Sequence, residues 1–315
     1  MDLALVGKAR VAFWVDRPFI APLSLNIIGS ANYGVGGLEV GGIYNYSYGS
    51  VRGIQVAGIT NLVDKDFVGV EVGGIANIVD GTMGGIQATF GVAGAGTCIG
   101  VCVAGLVHFV KKDVDGIQIS ALVSRADGDL NGMQVGLWNV ALGGDSLGLQ
   151  IGLVNSAHSF TLITSMTAAG TTYDGKTKYN MTTETTANGS HEAKLTGMQV
   201  GFWSSAYNVA GAQIGVFAQT DQSVSGLQVS ASFNMNQSKD HHHETKGIAI
   251  GGMGQFSEKV AGLEIGSLFN YATEVVGVQI GVVNVTGKLE GIQIGAVNVA
   301  TKGPIPVLPG LNVGW

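Results

Sequence analysis

Apolar and polar residues alternate with a period of two through most of the 315-residue chain, and glycine punctuates the alternation at fixed places. A unit Gly-Φ-Gln-Φ-Gly, with Φ apolar, begins at Gly37, Gly53, Gly69, Gly85, Gly100, Gly116, Gly132 and Gly148. It returns at Gly197, Gly211, Gly226, Gly247, Gly262, Gly277 and Gly291. These 15 copies lie mostly 14 to 16 residues apart, with exceptions of 49 and 21. A period of two predicts strands. A helix fails, because each glycine would cost it about 1 kcal/mol. Sixteen residues divide into a strand of about 10–12 and a turn of about 4. Each copy therefore reads as one strand, long enough to cross a bilayer at a tilt.

The two faces of that strand differ in chemistry. One is a stripe of Val, Ile and Leu, represented by Ile54, Val56, Val70, Val72, Ile117, Ile119, Leu149, Ile151, Val278, Ile280, Ile292 and Ile294. The other carries glycine, a small residue and a polar row. That row is Glu39, Gln55, Glu71, Gln87, Gln118, Gln134, Gln150, Gln199, Gln213, Gln228, Glu264, Gln279 and Gln293, broken by Cys102 and Ala249. An Asn follows eight residues after the first glycine at Asn45, Asn61, Asn77, Asn234 and Asn270, but seven after it at Asn139, Asn155, Asn284 and Asn298. A shift of one residue changes face, which predicts a strand end or a bulge.

Charge and turn formers gather between the units, as in Asp64-Lys65-Asp66, Lys111-Lys112-Asp113 and Lys288-Leu289-Glu290. The five prolines, Pro18, Pro22, Pro304, Pro306 and Pro309, lie outside the repeats, as expected where proline is kept off inner strands. Two architectures fit. In an antiparallel transmembrane β-barrel of roughly 16 to 18 strands the apolar stripe faces lipid and the polar row lines the inner face. In a parallel β-solenoid the stripe faces inward and identical residues stack between coils. The low charge within strands and the alternating end Leu311-Asn312-Val313-Gly314-Trp315 favour the barrel. Residues 1–315 read as one repeat domain. It divides into N-terminal strands at 1–36, repeats at 37–156, a long polar loop at 157–196, repeats at 197–300 and a Pro-rich turn and last strand at 301–315. In up-and-down order the insertions 157–196 and 236–246 fall at opposite ends, and an uncounted strand at 160–166 leaves that unchanged.

The segments Gly277-Val-Gln-Ile-Gly-Val-Val-Asn284 and Gly291-Ile-Gln-Ile-Gly-Ala-Val-Asn298, with the ending Pro304-Ile-Pro-Val-Leu-Pro309, resemble the Gly-Val-Gln-Ile-Gly-Leu-Val-Asn surface-repeat proteins of Leptospira and of predatory or social Gram-negative bacteria. The match runs over about 37–315. The resemblance extends more loosely to ring-forming, porin-like outer-membrane proteins whose oligomers enclose lipid, and so implies a homo-oligomer and a bacterial outer-membrane location.

Composition narrows the function. Glycine supplies 51 residues, charged residues only 12%, and 16 Lys+Arg against 22 Asp+Glu give a net charge of −6. Mean hydropathy is +0.33. Disorder and nucleic-acid binding are excluded on these grounds. No basic, apolar leader opens the chain, so an exported protein would have lost its signal. Cys98 and Cys102, four residues apart on an extended strand, would lie roughly 13 Å from each other, too far for a disulfide. They are read as small fillers. His241, His242 and His243 form the one weak metal candidate, in a polar loop. His108, His158 and His191 share no motif, and Asn180 and Asn188 match glycosylation sequons by chance. No cofactor and no catalytic residue is expected. The chain reads as a non-enzymatic outer-membrane protein with lipid as its partner, with a surface-exposed solenoid adhesin or structural protein as the alternative.

Overall fold

The structure is a computed structural model and describes residues 2–4, 20–143, 145–157, 166–173, 176–183, 194–236, 244–303 and 305–315. All regular structure among them is strand. The repeats stack in parallel. Val51–Ala57 lies beside Phe67–Gly73 with Gln55 facing Glu71, and Leu130–Val135 lies beside Ser146–Ala157 with Gln134 facing Gln150. One-repeat parallel pairing recurs from the strand at Ile20–Asn26 to that at Val283–Ala300. The antiparallel barrel is thereby corrected. The chain is a parallel β-solenoid.

Each repeat is a coil with two sides. A long side, Val51–Ala57, turns at Gly58 and Ile59 into a short side, Thr60–Val63; residues 64–66 form a second corner, and Phe67 opens the next coil. The expected single strand of 10–12 residues is therefore broken at a corner, where the Ile59 N–H bonds Ile43 O one coil earlier at 2.8 Å. The first glycine of the unit bends the long side. Gly53 has φ +128°, and a Cβ there would stand 2.0 Å from Gly37 O in the coil below. Only glycine can occupy a place where the chain bends with positive φ against a neighbouring backbone.

The seven-versus-eight drift of Asn has a corner origin. Asn139 pairs with Ser124 and Asn155 with Asn139, so the corner loses a residue while Asn stays inside. Both insertions also leave from one place. The chain exits after Ala157 and Asn236 and re-enters at Lys194 and Glu244, each time at the second corner, which corrects the opposite-ends expectation. The described part of the longer insertion holds an antiparallel pair, Met166–Tyr173 with Lys176–Thr183; the strand expected at 160–166 lies almost wholly outside the described residues.

A further coil, without the Gly-Φ-Gln-Φ-Gly unit, precedes Gly37: Ser24 in Ile20–Asn26 stacks on Glu39. Pro22 lies in this coil, where the register shifts between Ala21 and Leu23, so the prolines are not all outside the repeats. At the other end Val307–Gly314 runs antiparallel to the last long side, and the Asn312 amide donates to Gln293 Oε1 at 3.1 Å. This strand covers an edge that would otherwise present open N–H and C=O groups. Truncation before residue 301 is expected to give concentration-dependent association by light scattering where the full chain gives less; equal association would show that the last strand does not act as a cap.

Candidate functional surface

The interior is one side chain wide. The Gln134 amide donates to Gln118 Oε1 at 2.7 Å and reaches Val140 O on the opposite wall at 3.4 Å. Gln150 donates to Gln134 at 2.8 Å, Gln199 to Gln150 at 2.7 Å, Gln213 to Gln199 at 3.0 Å and Gln228 to Gln213 at 3.0 Å. Gln55 donates to Glu39, Gln87 to Glu71, Gln279 to Glu264 and Gln293 to Gln279, all between 2.6 and 2.9 Å. Every residue of the polar row is fully buried. Each amide points its N–H toward the preceding coil. The Asn row runs the other way: Asn45 donates to Asn61 and Asn61 to Asn77, both at 2.9 Å, and Asn139 to Asn155 at 2.8 Å. A buried amide is costly unless paired, and here the same residue one coil away supplies the partner.

Three carboxylates interrupt the amides. Burial pushes Glu71 up to about 8 against the opposing Gln87 hydrogen bond, and Glu264 up to about 7 against Gln279 and Ser257. Glu39 is raised too, by burial, although Ser30, Gln55 and Asn32 donate to it. Gln55 Oε1 and Glu71 Oε1 both lack a donor, and the Gln55 amide N–H is already committed to Glu39. A proton on Glu71 supplies the missing donor between stacked neighbours. A group whose folded pKa is raised stabilises fully below its unfolded value and loses that contribution as pH climbs toward the folded one. Wild type should therefore lose stability between about pH 4.5 and 8. Glu71→Gln should remove much of that loss, with little difference at pH 4 and a gain on the order of a few kcal/mol at pH 9, read by urea denaturation. Parallel pH curves for the two proteins would refute the assignment.

Cys98 and Cys102 are joined by a disulfide, with Cα atoms 6.9 Å apart. The extended-strand distance fails because Gly100, at φ +122°, bends the chain between them. Cys102 occupies a rung of the amide row, and Gln87 Oε1 beside it lacks a donor. At the second break, Ala249, the gap is made good: Asn236 donates to Gln228 Oε1 at 2.7 Å. His108 is buried in the Asn row, pushed down to about 4 by burial, with neither ring nitrogen bonded. Sequence reading missed Asn236 and His108 as interior residues, although their distance from the unit glycine places both on the inner side.

The apolar stripe faces outward, opposite to the direction first assumed for a solenoid. Ile54, Val72, Ile151, Ile292 and Ile294 are exposed; Val56, Val70, Ile117, Ile119, Leu149, Val278 and Ile280 are half-buried between neighbours on the same outer side. The short side also faces outward with Phe109, Trp138 and Tyr271, and Phe233, Phe256 and Phe269 form a ring cluster with centroids 4.9–6.3 Å apart. Between the two sides, the Gly-Ile corner adds a further row: Ile43, Ile59, Ile75, Leu106, Leu122, Leu137, Leu153, Phe202, Met253, Leu268 and Val282 are each 42–59% exposed. This row went unread because the corner was taken for mid-strand; its signal is an apolar residue five or six after the unit glycine.

Charge sits at the other corner. Among described residues from 20 onward, every exposed charged side chain lies there or within two residues of it, Lys302 through its N–H to Gly287 O at 2.8 Å. Lys111 pairs with Asp80 at 2.8 Å, Lys288 with Glu274 at 3.6 Å, and Arg125 with Asp127. Asp113 Oδ1 accepts the Asp129 N–H at 2.9 Å, and Asp145 Oδ1 the Lys194 N–H at 3.1 Å. His241, His242, His243, His158, His191 and Asn188 lie outside the described residues, among which no side-chain cluster could hold a metal. Asn180 lies on the second strand of the inserted hairpin. No family model, curated protein or solved structure matches the chain.

Proposed function

We propose that the protein is a non-catalytic structural β-solenoid that acts outside the cytoplasm by adhering through its apolar outer surface. The carrying observation is the arrangement of apolar residues: two amide rows run through the interior beside a buried apolar row that includes Val51, Phe67, Met83, Val114 and Leu130, while further Val, Ile, Leu and aromatic residues cover both outer sides and the corner between them. Continuous exposed apolar area of this extent marks an interaction surface. The interior polar groups are largely occupied with one another, which supports a scaffold role over a catalytic one. The buried Cys98–Cys102 disulfide suits an oxidising compartment and supports placement at the cell surface.

Retention on beads tests this reading. The full chain should bind alkyl-coated beads in detergent-free buffer and pass hydroxyl-coated ones. A monomeric protein that passes both refutes it.

A further inference from the structure

The occupant of the outer surface can be narrowed by its shape. The apolar area is not one flat face. It wraps a convex corner, running from Ile54 and Ile86 on the long side, across Leu106 and Leu122, to Phe109 and Trp138 on the short side. A second copy or another folded protein can cover one flat side at a time and leaves the corner wet. A fluid apolar phase covers both sides and the corner together. The charged corner lies beyond the far ends of both sides, and its residues pair with one another, as Lys111 does with Asp80. The row of corners follows the stacked coils for about 70 Å, at about 4.8 Å per strand.

We propose that this wedge sits in the surface of a lipid layer, apolar corner downward, with the charged corner at headgroup level. The proposal rests on the reading of the outer surface as the adhesive one and names its partner. The seven-residue long side, at about 3.3 Å per residue, sets the depth at about 20 Å, short of the about 30 Å that spanning the hydrocarbon takes. With a net charge of −6 the chain gains nothing from anionic headgroups, so apolar burial is the driving term.

Flotation of the full chain with phosphatidylcholine vesicles tests the proposal. Binding should be equal at 0.1 M and 1 M NaCl. Leu106→Lys combined with Leu122→Lys should reduce the bound fraction about tenfold or more, and the milder pair Leu106→Ser with Leu122→Ser should reduce it less. Lys65→Ala, at the charged corner, should leave binding unchanged. Binding that needs anionic lipid and vanishes in 1 M NaCl overturns the proposal, as does undiminished flotation of corner variants whose circular dichroism matches wild type. If the chain ignores vesicles but binds alkyl beads or associates with itself, the lipid assignment fails and the adhesive reading stands. If it does none of these, both fail.

Discussion

Gly116→Ala is expected to destabilise the solenoid by about 2–6 kcal/mol, combining the strain of a side chain at an unfavourable φ with the overpacking it causes. Gly116 has φ +146°, and a Cβ there would meet Gly100 O at 2.1 Å and the Gly100 carbonyl carbon at 2.9 Å. Neither obstacle is a flexible side-chain end. Both belong to the backbone of the preceding coil, which is fixed in turn by Gly85 below it. Relief requires neighbouring coils to separate and lengthen their shared hydrogen bonds. Gly310→Ala separates the two causes. Gly310 has φ +83° with nothing within 4 Å of its Cβ position, so only the conformational cost of about 1–2 kcal/mol applies. Urea titration of both variants decides the matter. If Gly116→Ala costs no more than Gly310→Ala, close approach of coils is not what selects glycine. Because coils contact only their neighbours, a mid-solenoid lesion should also lower cooperativity, seen as a smaller m value.

Gln134→Leu is the second large effect, about 2–6 kcal/mol. The substitution leaves Gln118 Oε1 without its donor and the Gln150 amide N–H without its acceptor, both fully buried. Each orphaned group costs about 1–3 kcal/mol. Hydrophobic gain offsets little of this, because leucine enters a row of amides. The Ala249 position sharpens the test: the chain tolerates an apolar residue there because Asn236 supplies the Gln228 oxygen with a donor. Ala249→Gln should then be nearly neutral or destabilising, while Gln134→Leu is severe. Equal, small effects would mean that the amide row contributes no cooperative stability.

The periodicity, the all-β character and the division of each unit into polar and apolar positions are legible in the sequence. Strand direction is not. An alternation of Gln with Ile describes a face pair equally well in a barrel wall and in a coil, and the preference for a barrel rested on the rule that a solenoid hides its apolar stripe. That rule fails where a buried polar residue finds its own kind one coil away. The sameness of Gln118, Gln134 and Gln150 carried the information, since in-register parallel stacking turns repetition into hydrogen bonding. The corners were illegible for a different reason. Gly58 and Ile59 carry no proline or charge to mark a turn, and the bend at Gly100 that joins Cys98 to Cys102 has no signature beyond a glycine among 51.

The opposed senses of the two amide rows bear on how long such a rod can grow. Aligned amide dipoles add along an axis, and in a helix their sum places partial charges at the two ends. Here the Gln amides aim their hydrogens toward the N-terminal end, as Gln150 does at Gln134, while the Asn amides aim theirs toward the C-terminal end, as Asn139 does at Asn155. Each coil with both residues therefore adds two dipoles of opposite sense. Coils can be appended without the amide rows building up end charge, and a cap has only to pair the open backbone and amide groups of the last coil.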